Sequence, residues 1–416
     1  MAELTELMDR KMGTKYIILV GDGMGDYPLK ELGGKTPLEA ARTPHMDKLL
    51  RRGRMGMLRT IPASMEPGSD VANMSLLGYD PLRYHTGRAP IEAASLGVKL
   101  GPDDVAFRCN LVTLTTDKDG VVRMEDYSAG HITTPEAHRL IEALQAAVGN
   151  GPLKLYPGVS YRHLLVWSKG REDLKTTPPH DISGEPIAEF AKVYREEPVL
   201  LSFMEKAAAI LATHQVNRDR KAASKRSANA VWLWGQGKAP SMPTLKEKAG
   251  LTGAMISAVD LLKGLGVCAG LEPVLVPGAT GYLDTNYAGK VDAALKALVQ
   301  GDFVYVHIEA PDEAGHEGSL SKKMEAIEAF DENVVGPVVE RAKAFKNVRL
   351  LIVTDHLTPI EKKTHVSDPV PFLLVEDLNG PETHPDAAAT FCERTAGEAG
   401  WHVGDGSELF SYFTNH

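Results

Sequence analysis

Short apolar runs alternate with amphipathic stretches along most of the chain. Residues 15–21 are mainly apolar and end in glycine, which is typical of a buried parallel strand. From about residue 245 onward, runs such as FVYVHIEA, RLLIVTDH and VPFLLVED alternate with helical patterns such as KVDAALKALVQG. Strand–helix alternation of this kind predicts an α/β fold with a doubly wound, mostly parallel sheet.

The pattern between residues 105 and 236 is different. FRCNLVTLTTDKDGVVRMED alternates apolar and polar residues around Asp119-Gly120, which predicts a β-hairpin. TPEAHRLIEALQAAV predicts an amphipathic helix, and VWLWGQGKAPSMP indicates turns near the end of the region. We therefore expect a smaller α+β domain at residues 105–236, inserted into one α/β domain that residues 1–104 and 237–416 form together.

Residues of the types that bind metal ions lie beside four of the apolar runs. Open α/β sheets place their active sites outside the carboxyl ends of the strands, so these residues are expected to lie near one another. They are Asp22 after KYIILVG, Asp312 and His316 after FVYVHI, Asp355 and His356 after VRLLIVT, and His365 before VPFLLV.

Each of these residues also has an ordinary explanation when it is taken singly. Asp22 could close an Asx-turn, Asp355 could cap a helix, and the histidines could lie in surface loops. Their recurrence beside the strands favours metal ligands instead. Carboxylates combined with imidazoles suit Mn²⁺, Zn²⁺, Co²⁺ or, less well, Mg²⁺. Two such ions about 3.5–4 Å apart can hold the attacking and leaving oxygens of a phosphoryl transfer.

Ser69 is a candidate nucleophile for that transfer. The block EPGSDVANMSLLGYDP predicts a tight turn that leads into a helix, with Ser69 at or near the helix N-terminus. Metal coordination would lower the pKa of its hydroxyl, and a helix N-terminus favours an incoming phosphate. The alternative is a plain N-cap serine. Pro67 occupies the first glycine position of GxSxG, which argues against an α/β-hydrolase elbow.

Several basic residues could hold the anionic groups of a substrate. Arg162 and Arg218 lie in or beside the expected insertion, and arginine grips phosphate or carboxylate with two parallel hydrogen bonds. Lys263 could meet a phosphate or simply extend from a helix surface. His131, in DYSAGHITTPEAH, could be an acid/base, a substrate contact or an ordinary loop histidine. Each arginine could equally be part of a solvated face.

Composition and charge narrow the classes of partner. The 416 residues are 43% hydrophobic and 24% charged, with a net charge of −9 and no dominant basic stripe, which argues against nucleic acid. The three cysteines, Cys109, Cys268 and Cys392, form no CxxC motif and fit a reducing cytoplasm. The N-terminus MAELTELMDRKMGTKY has no apolar signal core, and no apolar run is long enough to cross a bilayer.

The ordered set of motifs resembles a known enzyme family. GDGMGD, EPGSDVANMSLLGYDP, HIEAPDEAGHEG, VTDH and THVSDPVPF are similar to the archaeal-type branch of the 2,3-bisphosphoglycerate-independent phosphoglycerate mutases, within the alkaline phosphatase superfamily. The resemblance covers nearly the whole chain. Asn73 stands where the larger bacterial and plant mutases have a histidine, which fits the archaeal-type branch.

The resemblance implies a role for each candidate residue. Ser69 would be transiently phosphorylated while 3-phosphoglycerate and 2-phosphoglycerate interconvert, a step of glycolysis and gluconeogenesis. Closure of the inserted domain would exclude water. One divalent ion, Mn²⁺ in the first place, would be bound by Asp22, Ser69, Asp355 and His356, and a second by Asp312, His316 and His365. His131, Arg162 and Lys263 would contact the substrate or its phosphate, and Asp70 would be the acidic neighbour of the nucleophile.

Two alternatives remain at this point. NAVWLWGQGKAP and ISAVDLLKGLG are similar to a bacterial subgroup of the family proposed to act as homoserine kinase, which would need ATP. The sequence contains no independent nucleotide motif, but this absence is weak evidence because the metals and serine could serve either reaction. A non-catalytic metal-binding scaffold ranks last, because Ser69 and all six other ligand positions are retained. The oligomeric state stays open.

Overall fold

The chain folds into two compact units. The computed structural model describes residues 13–148, 151–384 and 389–415, so most of the N-terminal segment considered above lies outside the described residues. Thr86–Pro240 forms the second unit, and the described residues on either side of it form the first. No helix in these described ranges is both long and apolar enough to cross a membrane.

Thirteen strands are found in the described residues. In chain order they are β1 (Thr14–Gly21), β2 (Arg54–Leu58), β3 (Asp104–Thr116), β4 (Val122–Asp126), β5 (Leu153–Tyr156), β6 (Arg162–Ser168), β7 (Ala230–Gly237), β8 (Gly253–Ile256), β9 (Glu272–Pro273), β10 (Phe303–Ile308), β11 (Asn347–Val353), β12 (Val370–Val375) and β13 (His402–Val403).

The first unit is built on an eight-stranded sheet with the order β13-β2-β12-β11-β1-β10-β8-β9. All neighbouring pairs are parallel except those of β12, which runs antiparallel to β11 and β2. The central strand β1 is buried on both faces, from Ile17 to Val20 at 0% exposure, as its unbroken apolar run predicts. The predicted mostly parallel α/β sheet is therefore confirmed.

Helices cover this sheet and contribute its packed side chains. The α-helices of the first unit are Pro37–Ala40, Pro44–Leu49, Ser69–Leu76, Pro81–Tyr84, Leu245–Ala249, Asp260–Cys268, Tyr287–Gln300, Ala310–Glu317, Leu320–Phe330, Gly336–Ala342, Glu393–Glu398 and Gly406–Asn415. A 3₁₀ turn at Lys30–Leu32 and a π-helical turn at Asp331–Val335 complete the described helical structure.

The second unit is a smaller α+β structure. Its antiparallel sheet has the order β4-β3-β6-β5, and β7 pairs with β3. The predicted hairpin joins β3 to β4, and Gly120 in its turn has a φ of 78°, a left-handed conformation that favours glycine. The helices of this unit are Arg88–Ser95, Thr134–Val148, Lys192–Arg195, Pro198–Thr213 and Gln215–Ala222.

The boundaries of this unit differ from those expected at residues 105 and 236. It begins at Thr86 because helix Arg88–Ser95 packs its alanines against β3 and β6. The turns predicted for VWLWGQGKAPSMP are wrong for its first half, which forms β7. Residues 231–234 are buried on both faces, so this strand shows no apolar–polar alternation, and its pairing with β3 contains an irregularity.

A fully buried lysine joins two loops at the carboxyl edge of the first sheet. Lys323 Nζ donates hydrogen bonds to Asp26 Oδ2 at 2.7 Å, to Gly25 O at 2.9 Å and to Thr358 O at 2.7 Å. Gly25 and Asp26 follow β1, whereas Thr358 follows β11. Burial lowers the pKa of Lys323, and the carboxylate of Asp26 opposes that effect. The lysine therefore cross-links the two loops through one desolvated charge.

Replacing this lysine should destabilise the first unit. In Lys323→Met the carboxylate of Asp26 stays buried without its cation, so we expect the free energy of unfolding to fall by about 3–5 kcal/mol. Urea denaturation followed by circular dichroism measures the change. The neighbouring Lys322 pairs with Glu317 at the surface, and Lys322→Met should leave the unfolding midpoint unchanged. Equal losses in both variants would contradict the buried cross-link.

Candidate active site

The candidate ligands meet at one edge of the first sheet. Strands β11, β1 and β10 are neighbours and run parallel, so their carboxyl ends lie side by side. Asp22 directly follows β1, and Asp355 with His356 follows β11. Asp312 and His316 lie on helix Ala310–Glu317, which begins two residues after the end of β10. Parallel pairing thus gathers side chains that are far apart in the sequence.

His365 reaches the same edge from the start of a strand instead of from its end. It precedes β12 instead of following it, but β12 runs antiparallel to β11. The start of β12 therefore lies beside the end of β11, and His365 lies against His356 with ring centroids 4.0 Å apart. The sequence showed the histidine beside an apolar run without showing the direction of that strand.

Asp312, His316 and His365 form the first group of donor atoms, which all lie within 4.8 Å of one another. Asp312 and His316 are four residues apart on one helix and therefore share a face. His316 Nε2 lies 3.2 Å from Asp312 Oδ2 and 2.9 Å from His365 Nε2. His365 Nε2 lies 3.4 Å from Asp312 Oδ1.

Asp22, Asp355 and His356 form the second group, again within 4.8 Å. His356 Nε2 lies 3.5 Å from Asp22 Oδ1 and 3.4 Å from Asp355 Oδ2. All three residues are buried. Ser69 Oγ lies 3.1 Å from the same His356 nitrogen, so the candidate nucleophile adjoins this group.

The donor atoms fit divalent cations. Asp22 Oδ1 is buried and has no hydrogen-bond partner among the described residues. Burial raises the pKa of Asp22 well above its ordinary value, and the carboxylates of Asp355 and Asp312 raise it further. Buried carboxylates that repel one another need a positive partner. The close approach of the His316 and His365 ring nitrogens likewise suits a shared metal ion better than a direct contact.

The pKa values of His356 and His316 are shifted in opposite directions. Burial lowers the pKa of His356 to about 4, so its ring is neutral and able to bind a metal. Burial also acts to lower the pKa of His316, but the hydrogen bond to Asp312 outweighs it and raises that pKa to about 9. Burial alone would raise the pKa of Asp312, whereas His316 and His365 hold it well below its ordinary value.

Asn73 supports both the nucleophile and a ligand, and sequence reasoning did not assign it this role. Its amide nitrogen donates to Asp355 Oδ2 and to Ser69 O, each at 2.8 Å. Its amide oxygen accepts a hydrogen bond from the Tyr305 hydroxyl. Asn73 lies one helical turn after Ser69, so this spacing was the available signal.

His307 and Thr358 were also missed. His307 is fully buried in β10, with Nε2 at 2.9 Å from Asp22 Oδ2 and Nδ1 at 3.3 Å from the Ser257 hydroxyl. Burial lowers the pKa of His307 to about 4. The Thr358 hydroxyl donates to Asp312 Oδ1 and lies 3.2 Å from His356 Nδ1, so it contacts both donor groups. Every residue of β10 is buried, so the sequence alone does not show that its histidine faces the site.

The local geometry requires glycine at Gly23, in the GDGMGD turn. It has a φ of 58°, and a Cβ at this position would lie 2.6 Å from both Asp312 Oδ1 and Thr358 Oγ1. Its backbone nitrogen donates to Asp355 Oδ1 at 3.1 Å. A side chain here would displace Asp312, so the sharp turn and the close backbone approach both require glycine.

Ser69 is the first residue of helix Ser69–Leu76, as predicted, with Gly68 at the N-cap. Asp70 lies beside it with its carboxylate 2.8 Å from His85 Nε2. A Cβ on Gly68 would lie 2.7 Å from Asp70 Oδ1. The predicted acidic neighbour is thus held by a histidine that sequence reasoning did not name.

Of the other predicted substrate contacts, His131 and Arg162 lie close together in the second unit. Ala129, Gly130 and His131 have φ values of 49°, 66° and 47°, a strained run that Asp126 holds by accepting from Gly130 N at 3.0 Å. The rings of His131 and Tyr161 are 6.2 Å apart, and the Arg162 guanidinium lies 5.3 Å above the Tyr161 ring. Both candidates therefore contact one tyrosine.

Lys263 and Arg218 have local partners. Lys263 Nζ lies 2.6 Å from Asp260 Oδ1 on its own helix in the first unit. Arg218 is exposed, and it donates to Gln215 at the start of its own helix and to the carbonyl oxygen of Thr213, the last residue of the preceding helix. The geometry gives no support to Arg218 as a substrate contact, because its guanidinium is engaged in capping interactions at the surface.

The chain is similar to known proteins over almost its whole length. A family model described as 2,3-bisphosphoglycerate-independent phosphoglycerate mutase matches residues 51–217. A relative from Geobacter sulfurreducens, named a probable mutase of this kind, is 53% identical over 95% of this chain and 98% of its own. The mutase of Methanothrix thermoacetophila is 52% identical over the same shares.

Solved structures show the same similarity. A protein from Pyrococcus horikoshii is 30% identical, covers 97% of each chain and superposes with a TM-score of 0.79. The cofactor-independent phosphoglycerate mutase of Thermoplasma acidophilum is 27% identical, covers 96% of this chain and 99% of its own, and has a TM-score of 0.64. With relatives this similar over almost their whole length, the chain belongs to the family of 2,3-bisphosphoglycerate-independent phosphoglycerate mutases.

Proposed function

We propose that this protein interconverts 3-phosphoglycerate and 2-phosphoglycerate through a phosphoserine at Ser69, without free 2,3-bisphosphoglycerate. The observation that carries the proposal is the position of Ser69 Oγ, 3.1 Å from His356 Nε2 and beside two groups of metal-type donors. The relatives named as mutases of this kind support the same reaction. No comparison favours a kinase.

Two divalent ions would complete the site. One ion would be held by Asp22, Asp355, His356 and Ser69. A second ion would be held by Asp312, His316 and His365. When bound, the ions supply positive charge that lowers the pKa of the Ser69 hydroxyl and neutralises the phosphoryl oxygens. Mn²⁺ suits this mixture of carboxylate and imidazole donors best, and Zn²⁺, Co²⁺ and Mg²⁺ are the alternatives.

The chain itself orients the nucleophile. Ser69 begins an eight-residue helix, whose free backbone N–H groups and positive dipole end favour the incoming phosphoryl group. One amide group of Asn73 donates to the backbone of Ser69 and to the carboxylate of Asp355, so the positions of these two residues are fixed relative to each other. Pre-positioning of this kind lowers the barrier by removing the cost of bringing the reacting atoms together.

The reaction then takes two matched steps. Ser69 Oγ attacks phosphorus as the alkoxide, after its proton has passed to solvent, and the bond from phosphorus to the 3-oxygen of the substrate breaks. The 2-hydroxyl of the retained glycerate then attacks the phosphoserine, and the Ser69 oxygen leaves. We assign His131 the proton transfers: it gives a proton to the leaving 3-oxygen and accepts one from the attacking 2-hydroxyl. The strained loop that holds His131 is consistent with a defined position for its ring.

A phosphorus NMR assay tests this reaction against the kinase alternative. Purified protein with Mn²⁺ is given 3-phosphoglycerate without nucleotide in one tube, and homoserine with ATP in another. We expect 2-phosphoglycerate in the first tube and no change in the second. Formation of O-phosphohomoserine in the second tube alone would replace the mutase by a kinase that uses the same serine.

Ser69→Ala should abolish turnover because it removes the oxygen that accepts the phosphoryl group. Metal content should change little, because the carboxylates and imidazoles of both groups remain. Activity is measured by phosphorus NMR, metal content by elemental analysis, and folding by circular dichroism. Ser75 lies on the same helix, and Ser75→Ala serves as the matched control that keeps turnover. Near-wild-type activity of the Ser69 variant would exclude a phosphoserine at this residue.

Metal affinity should depend on pH through His316. Its pKa of about 9 means that the ring is protonated at neutral pH, so metal binding must release that proton. The apparent Mn²⁺ affinity should rise about tenfold per pH unit from pH 7 and level off above pH 9. The protonated ring stabilises the metal-free fold below its unfolded pKa, and this contribution is lost as pH rises through 9.

Calorimetric titration of metal-free protein in two buffers of different ionisation enthalpy measures the released proton. His316→Gln provides the control, because it should bind Mn²⁺ weakly and lose the release of this proton. A wild-type affinity that is flat between pH 7 and pH 9 would contradict the assignment of His316 as a ligand.

A further inference from the structure

One face of strand β10 lies against the Asp22 group, which consists of Asp22, Asp355 and His356. Successive side chains of a strand point to opposite faces of the sheet, so Tyr305 and His307, two positions apart, share a face. His307 on this face lies with its Nε2 atom 2.9 Å from Asp22 Oδ2. Tyr305 is the second polar side chain that β10 places on the same face.

The hydroxyl of Tyr305 contacts the helix that begins at Ser69. Tyr305 is fully buried, and its hydroxyl donates to Asn73 Oδ1 across 232 positions of sequence. A buried hydroxyl and a buried amide oxygen are both costly without a partner, so this hydrogen bond satisfies both groups. Burial raises the pKa of Tyr305 well above its ordinary value, and the carboxylates of Asp355 and Asp22 raise it further. The hydroxyl therefore keeps its proton and remains available as a donor.

Hydrogen bonds at both ends set the orientation of the Asn73 amide. Its nitrogen donates to Asp355 Oδ2 and to Ser69 O, each at 2.8 Å, and both of these atoms can only accept. Its oxygen accepts from Tyr305. Acceptors at the nitrogen and a donor at the oxygen select the same orientation. The amide is therefore held between the tyrosine and the candidate site.

Asp355 is the candidate ligand that this orientation affects. Its Oδ1 atom accepts from two backbone groups, Gly23 N at 3.1 Å and His356 N at 2.9 Å. Its Oδ2 atom accepts from Asn73 and lies 3.4 Å from His356 Nε2, so Oδ2 is directed towards the other donors of the Asp22 group. Movement of the amide would release Oδ2 while the backbone still held Oδ1.

We propose that Tyr305 is a positioning residue for the metal ion of the Asp22 group. Its hydroxyl holds the amide of Asn73, and that amide holds Asp355 Oδ2 and the backbone of Ser69. The inference rests on the proposed use of the Asp22 group as a metal site. Removing a residue that orients a metal ligand typically lowers metal affinity or activity by about 10–100-fold.

Tyr305→Phe tests this role because it removes the hydroxyl and keeps the buried ring. Full-length protein loaded with Mn²⁺ is dialysed against a graded series of chelator concentrations, and the retained Mn²⁺ is measured by elemental analysis. We expect the variant to lose one of two ions at a chelator concentration about tenfold lower or more than wild type does. The other ion should be retained as in wild type. Wild-type retention of both ions, or equal loss of both, would overturn the proposal.

Tyr79 provides a matched control in the same unit. It is buried as well, and its hydroxyl donates to Pro243 O at 2.8 Å. Tyr79→Phe also loses one buried hydrogen bond, so it should lower the unfolding midpoint by a similar amount to Tyr305→Phe. It should nevertheless retain both ions as wild type does. If Tyr79→Phe loses Mn²⁺ as readily as Tyr305→Phe, general destabilisation explains the loss and the positioning role is overturned.

A double variant tests the route through Asn73. Asn73→Ala removes the amide, so it should weaken retention of the same ion at least as much as Tyr305→Phe does. Adding Tyr305→Phe to Asn73→Ala should change retention little, because two residues that act through one contact are not additive. A double variant that shows the full effect of both single changes would overturn the proposal, since Tyr305 would then act by another route.

Kinetics provides a second measurement that a purely structural role would not explain. At limiting Mn²⁺, Tyr305→Phe should lower kcat about tenfold or more and leave the KM for 3-phosphoglycerate near its wild-type value. Saturating Mn²⁺ should restore most of kcat. A higher KM with unchanged kcat would overturn the proposal. Absence of mutase activity in the wild type would refute the proposed function, whereas the dialysis uses no substrate and would still decide the role of Tyr305.

Discussion

The crowding of negative charge at the carboxyl edge of the first sheet is the constraint on which the site depends. Asp22, Asp312 and Asp355 are all buried, and the carboxylates of Asp355 and Asp312 both repel that of Asp22, which adds to the cost of desolvation. Hydrogen bonds from backbone and side chains offset part of this cost, since Gly23 N and Asn73 both donate to Asp355. The remainder calls for cations, and the histidines between the carboxylates provide the geometry for binding them. A fold that keeps such a cluster intact has to be stiff around it.

That stiffness comes from contacts one layer away from the candidate ligands. Lys323 joins the loop after β1 to the loop after β11 through direct hydrogen bonds from its buried ammonium group. Thr358 touches a ligand of each donor group, so the two groups cannot move independently without breaking its contacts. His307 abuts the carboxylate of Asp22 from the neighbouring strand. The loops that carry the ligands are therefore fixed by buried polar contacts, which have few alternative partners.

The sequence predicted the sheet class and the residues of the donor groups better than it predicted their supports. Apolar runs that end in Asp or His indicate the ends of strands, and parallel pairing brings these ends to one edge of the sheet. The antiparallel direction of β12 could not be predicted, because an apolar run does not show which way its strand is oriented in the sheet. This direction brings His365 to the carboxyl edge of the sheet. Asn73, His307 and Thr358 each contact a candidate ligand that is distant in the sequence, such as Asp312 for Thr358, 46 positions away. The boundary at Thr86 was not predicted, because helix Arg88–Ser95 belongs to the second unit through its packing against β3 and β6. The sequence does not show this packing.

The two units bury opposite kinds of charge: carboxylates at the edge of the first sheet, and the guanidinium of Arg108 in the second unit. The first unit concentrates carboxylates that a phosphate would repel, so it can receive a phosphoryl group only after cations have reversed the sign of the site. The second unit buries positive charge directly, since the guanidinium of Arg108 keeps its charge even when it is buried beside Trp234. A group that must be transferred suits metal ions, because they stabilise the charge that develops as its bonds change. A net charge of −9 conceals this division, because it sums two local environments of opposite sign.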